Sequence, residues 1–117
     1  MQEVEVIYKN DFGMGFFWKK EEASITNKIQ VIFRDTGFYL TQAQIQTFVT
    51  CLENAKAAQK CSSCTSATCC RSILLKTPSP EVDLAINKEE LIAIDDLLQG
   101  LLFQLSLRDY LKNTSSN

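Results

Sequence analysis

From Lys88 to Lys112 the chain reads as one long helix that is apolar around most of its circumference. Leu91, Ile94, Leu98, Leu101 and Leu105 form one stripe at helical spacing, and Ile92, Leu102, Phe103, Leu107 and Tyr110 extend apolarity well beyond it. A helix apolar on most sides must be buried on most sides, and one sheet covers only one side. Two arrangements satisfy this requirement. In the first, the helix lies near the two-fold axis of a homodimer, with Leu98, Leu101, Leu102, Phe103, Leu105 and Tyr110 at the interface. In the second, an earlier helix of the same chain wraps it. The first is the expectation carried forward, because large exposed apolar patches are unusual on monomers.

The chain upstream supplies the layer on which such a helix packs. Glu3 to Lys9 alternates, with Val4, Val6 and Tyr8 expected on one face, and reads as a half-buried strand. Asn10 to Gly13 is a turn, and Met14 to Lys19 resumes as a strand. Glu21 to Lys28 is polar and reads as a loop. Ile29, Val31 and Phe33 mark a third strand, Asp35-Thr36-Gly37 a turn, and Phe38 to Leu40 a fourth strand. Thr41, with Gln44 three residues on, forms a capping box opening a helix with Ile45, Phe48, Val49 and Leu52 on one face. Ile73 to Lys76 and Val82 to Ile86 read as strands flanking the rigid turn Thr77-Pro78-Ser79-Pro80. Asn87 and Glu90 form the second capping pair.

The two strand–turn–strand–helix segments align at an offset of 46 residues: Leu40 with Ile86, Thr41 with Asn87, Gln44 with Glu90, Ile45 with Leu91, Phe48 with Ile94 and Leu52 with Leu98. The alignment is either a (ββα)2 pseudo-repeat or the chance recurrence of a common arrangement. The expected fold class is α+β: an antiparallel sheet of about six strands with two helices on one face. Residues 1–112 form one domain and residues 113–117 a disordered tail.

Composition narrows the function classes. A formal net charge of −2 argues against a general nucleic-acid binder, which needs a basic face. The N-terminus shows no basic segment followed by an apolar stretch, and no apolar run approaches the roughly 20 residues that span a bilayer. The expectations are therefore no membrane association and a cytoplasmic location. The chain has no histidine, which removes the commonest general base and the commonest metal ligand.

Arg71 to Asn113 contains Ile73-Leu74-Leu75-Lys76-Thr77-Pro78-Ser79-Pro80, a strand, the capped start Asn87-Lys88-Glu89-Glu90-Leu91, and the run Asp95-Asp96-Leu97-Leu98-Gln99. This stretch resembles an uncharacterised family of short, Bacteroidetes-type bacterial proteins, with weaker similarity over Ile29 to Leu52. The resemblance implies a fold and no reaction. Many members of that family carry a Cys-x-x-Cys pair ahead of the strand matching Ile29 to Phe33. Ala23 to Lys28 contains no cysteine here, so no family metal site is implied.

The candidate chemistry lies in the five cysteines Cys51, Cys61, Cys64, Cys69 and Cys70. An odd count without an export signal points to reduced thiols. Cys61, Cys64, Cys69 and Cys70 sit in a Ser- and Thr-rich loop and supply enough thiolates for a tetrahedral zinc site. The adjacent pair Cys69-Cys70 fits that geometry poorly. The Cys61-x-x-Cys64 pair also follows a helix C-terminus, which disfavours a thiolate. A solvated loop is the plainer reading. Asp95 and Asp96 point about 100° apart on their helix and do not converge as an acid–base pair. Phe12, Phe16, Phe17 and Trp18 form an aromatic cluster in the first hairpin, read as core or interface packing. The function expected is a non-enzymatic, homodimeric interaction domain. The alternative is a small zinc-binding or thiol-redox module using the Cys61–Cys70 loop.

Overall fold

The structure, a computed structural model, describes residues 3–19, 28–58 and 73–115. The elements run β1 (Glu3–Lys9), β2 (Gly13–Lys19), β3 (Ile29–Phe33), β4 (Thr36–Leu40), α1 (Gln42–Ala58), β5 (Ile73–Lys76), β6 (Asp83–Ile86) and α2 (Lys88–Ser115). Strands β1 to β4 form an antiparallel meander in sequence order, and β5 and β6 form a separate antiparallel pair. The protein is thus α+β, with its strands in two sheets rather than the single six-stranded sheet expected. The short β5–β6 hairpin pairs only within itself, and β5 packs on α1. Ile73, Leu75 and Ile86 thereby reach the core without joining the edge of β4.

Both helices lie on one face of the four-stranded sheet. The register places Tyr8, Gly15, Val31 and Phe38 in one row across the four strands. This row faces the helices: Tyr8 and Gly15 meet α2, and Phe38 packs edge-on against Phe48 of α1 at 5.3 Å. The core joins Ile29, Val31 and Phe33 of β3 to Ile45, Phe48 and Leu52 of α1 and to Ile94, Leu97, Leu98 and Leu101 of α2.

Val4, Val6 and Tyr8 do not share a face. The register shifts between Val6 and Tyr8, a β-bulge at Ile7 that inserts one residue and reverses the alternation beyond it. Tyr8 therefore turns toward α2, and Val4 and Val6 turn away from it.

Local chemistry explains the turns. Asn10 Oδ1 accepts from the backbone N–H groups of Phe12 and Gly13, both at 2.9 Å, an Asx turn that closes the first hairpin. The β3–β4 turn falls on Arg34 and Asp35 rather than on Asp35-Thr36-Gly37, because Phe33 pairs directly with Thr36. Arg34 adopts φ 53°, as the first central residue of a two-residue hairpin turn requires. In the β5–β6 turn the buried Thr77 hydroxyl accepts from Ser79 N–H, and its proton lies between the carbonyls of Ser79 and Val82.

Both capping boxes form. Thr41 Oγ1 accepts from Gln44 N–H at 3.1 Å while Gln44 Oε1 accepts from Thr41 N–H at 2.9 Å. Asn87 Oδ1 and Glu90 Oε1 make the same reciprocal pair at 2.8 and 3.0 Å. Helix α2 continues to Ser115, past the end expected at Lys112. No helix among the described residues is long and apolar enough to cross a membrane.

Candidate functional site

The expected metal residues Cys61, Cys64, Cys69 and Cys70 lie outside the described residues. Cys51, on α1, is a free thiol partly buried against the core. Among the described residues no group of three or more potential ligands could hold a metal ion.

The acidic residues of α2 tie elements together and do not converge. Glu90 Oε2 accepts from Arg34 at 2.9 Å while its other oxygen caps the helix. Asp95 receives Lys56 of α1 at 2.6 Å. Asp96 Oδ2 accepts from the Tyr8 hydroxyl at 3.0 Å and from Asn10 Nδ2 at 2.9 Å. The hydrogen bond to Asp96 holds the Tyr8 phenol above its usual pKa, with smaller contributions from burial and from the carboxylate charge. The hydrogen bond that Lys56 donates to Asp95 raises the Lys56 pKa, against an opposing desolvation and with help from the charges of Asp95 and Glu53.

Among the described residues, grooves open at two places on the surface. One, of about 490 Å³, lies between the first hairpin turn and the start of α2, and is floored by Phe12, Ile92 and Ala93. The other, of about 580 Å³, lies between the start of α1 and the end of α2, where Arg108 spans to Glu5 at 2.6 Å. Among the described residues no buried side-chain nitrogen or oxygen lacks a hydrogen-bond partner. Around the grooves Asn10, Asn87, Glu90, Asp96, Thr41 and Arg108 are engaged in caps, turns and ties between elements, and neither groove pairs a nucleophile with a base.

The fold leaves several large apolar side chains of α2 outward among its polar ones. At about 100° per residue, Phe103 and Tyr110 fall within about 20° of Ile92 around the α2 axis, while Ile94, Leu101 and Leu105 fall on the opposite side. Ile92, Phe103 and Tyr110 are 68, 64 and 66% exposed, and Leu107 and Leu111 are exposed beside them. Of the six residues expected at an interface, Leu98, Leu101 and Leu105 are therefore committed to the chain's own core. Leu102 is partly buried against that core, and Phe103 and Tyr110 face outward.

The far face of the four-stranded sheet is the second such surface. Val6, Phe16, Gln30 and Tyr39 form one row across it, with Val4 opposite Trp18, and Met14 and Ile32 in the neighbouring row. Antiparallel sheets with one covered face usually turn polar residues to the other; here nearly every outward position is apolar. Phe16 is only 4% exposed yet stands apart from the main core, with Trp18 edge-on to it at 5.0 Å. Gln30, the polar residue in the middle, accepts from Trp18 Nε1 and donates to the Phe38 carbonyl. The sequence carries a signal for this face, because Phe16 and Trp18 alternate with Gly13 and Gly15 across the bulged partner strand.

No family model, curated protein or solved structure matches the chain.

Proposed function

We propose that the chain is a non-enzymatic interaction domain that associates with a second copy of itself through the outer face of α2. The observation that carries this reading is the stripe Ile92, Phe103 and Tyr110, about two-thirds exposed and opposite the stripe that fills the core. Isolated apolar residues on a surface are ordinary, but Phe103, Leu107, Tyr110 and Leu111 adjoin over two turns of α2 at 64, 39, 66 and 55% exposed, and such a cluster of large ones is the mark of a contact surface. The reading assigns α2's side of the contact, and a two-fold pair would put the same stripe on both sides.

Sedimentation velocity over a wide concentration range tests it. The expected result is a mass that rises with concentration and returns to that of one chain in Phe103→Lys. A single-chain mass at every concentration for the unsubstituted protein would remove the reading.

A second reading rests on the spacing of Cys61, Cys64, Cys69 and Cys70: a zinc or thiol-redox module, a role that four closely spaced thiols allow. Metal analysis with a free-thiol count decides it. Stoichiometric zinc or a disulfide supports this reading, and no metal with five reactive thiols discards it.

A further inference from the structure

The self-association just proposed leaves open which surface covers α2, and the inference that follows rests on that reading. We infer that the surface receiving the outer stripe of α2 is the outer face of the four-stranded sheet of another copy, in a head-to-tail contact.

Three observations carry it. The first is placement. Helix α2 packs its Leu101 side on the inner face of β1 and β2, so its outer stripe and the outer sheet face lie on opposite sides of one sheet–helix layer pair. Stacking one copy's sheet on the next copy's α2 repeats the packing already present inside each chain.

The second is charge. Among the described residues the outward lysines of the sheet are Lys9, in line with Met14 and Ile32, and Lys28, whose ammonium lies 5.5 Å from the centre of the Tyr39 ring. The charged residues within about 60° of Ile92 around the α2 axis are Lys88, Glu89, Asp95 and Asp96, a net charge of −2, with Asp95 paired to Lys56 of α1. Two sheet faces brought together would oppose lysines to lysines, whereas sheet against α2 opposes unlike charge.

The third is coverage. A two-fold pair of α2 stripes leaves the exposed positions of the sheet face in water: Val4, Val6 and Tyr39 are 37, 42 and 43% exposed around the covered Phe16. A head-to-tail contact covers both apolar faces with a single type of interface. Such a heterologous contact closes into a ring or grows as an open stack, according to the rotation between copies.

The test uses the full chain with one face blocked at a time by repulsive charge. Val6→Glu blocks the sheet face and Phe103→Lys blocks α2. Tyr39→Glu and Ile92→Lys, at equally exposed positions, repeat the experiment should either first variant fail to fold. The expected results in sedimentation velocity are a single-chain mass for each blocked variant alone and a two-chain mass, and no larger species, for their equimolar mixture. Trp18, the only tryptophan, lies on the sheet face, so its emission shifts on mixing. The unsubstituted chain exceeds two copies as concentration rises. Persistent dimers of Val6→Glu would overturn the head-to-tail inference and leave α2 self-association standing. Persistent association of Phe103→Lys, or an unsubstituted chain that stays single, would overturn both.

Discussion

Gly100 of α2 lies against the ring of Tyr8 of β1 so closely that a Cβ at this position would collide with the ring. The next residue, Leu101, fills the space that a side chain on Gly15 would need, and Gly15 is the cross-strand partner of Tyr8. Helix α2 and the β1–β2 hairpin thus each contribute one glycine and one large side chain to a reciprocal fit. Gly100→Ala ordinarily stabilises a helix by about 1 kcal/mol. Here overpacking of roughly 1–3 kcal/mol opposes it, and the expected net effect is destabilisation. Urea denaturation should give a lower midpoint for Gly100→Ala than for the parent, and a higher midpoint when the same change is made on a Tyr8→Ala background. A raised midpoint in the parent background would mean that Tyr8 moves aside without cost.

Arg34 and Glu90 join the β3–β4 turn to the start of α2. Arg34 holds a positive φ that disfavours any residue other than glycine by about 1–2 kcal/mol. Its guanidinium bonds to Glu90 at 2.9 Å and lies 5.8 Å from the Phe12 ring centre, contacts that offset the strain. Arg34→Ala removes the contacts and keeps the strain, whereas Arg34→Gly removes both. The glycine variant should therefore be the more stable of the two by about 1 kcal/mol in chemical denaturation. The reverse order would show that the turn residue carries no backbone strain.

The parts of this fold legible in the sequence are those set by near neighbours. The capping pairs Thr41–Gln44 and Asn87–Glu90 announce both helix starts, since the partners are three residues apart and the bonds are local. The strands announce themselves by alternation. Hidden from that reading is whatever depends on distant contacts. The bulge at Ile7 breaks the Val4–Val6–Tyr8 pattern only because Tyr8 is drawn to Gly100 and Asp96. Asp35-Thr36-Gly37 reads as the turn, but the register places it on Arg34 and Asp35, with Arg34 held by long-range contacts. The division into two sheets reflects α1 packing on β5, which no local pattern encodes. Apolarity all round α2 was plain, yet only the packed structure separates Leu98 and Leu101 inside from Phe103 and Tyr110 outside.

The Tyr8–Asp96 bond has a consequence at alkaline pH. Folding raises the Tyr8 pKa above its ordinary value of 10.0, chiefly because the neutral phenol donates to Asp96. The folded state therefore holds this proton more tightly than the unfolded one. The stabilising contribution is complete below the unfolded pKa and is lost as pH rises through the higher folded value. Ultraviolet titration of phenolate should show one tyrosine ionising late, and Asp96→Asn should bring that step earlier. An unchanged titration in Asp96→Asn would remove the hydrogen bond as the cause.

The two capping boxes share a geometry and differ in surroundings, which sets an order for their loss. Thr41 is partly exposed, so water reaches the Gln44 N–H once the hydroxyl is gone. Asn87 is 5% exposed, so Asn87→Ala strands the Glu90 N–H in a site closed to solvent. Removing a cap costs about 0.5–2 kcal/mol, and an unsatisfied buried donor lies toward the high end of that range. Thr41→Ala should cost about 0.5–1 kcal/mol and Asn87→Ala about 2 kcal/mol, read from urea midpoints at constant slope. Both changes act on Glu90: Asn87→Ala removes the acceptor of its backbone N–H and Arg34→Ala the partner of its carboxylate, while the backbone N–H of residue 87 still donates to Glu90 Oε1. Asn87→Ala and Arg34→Ala combined should then cost less than the two separate losses added together, and strict additivity would show that the cap and the ion pair act independently.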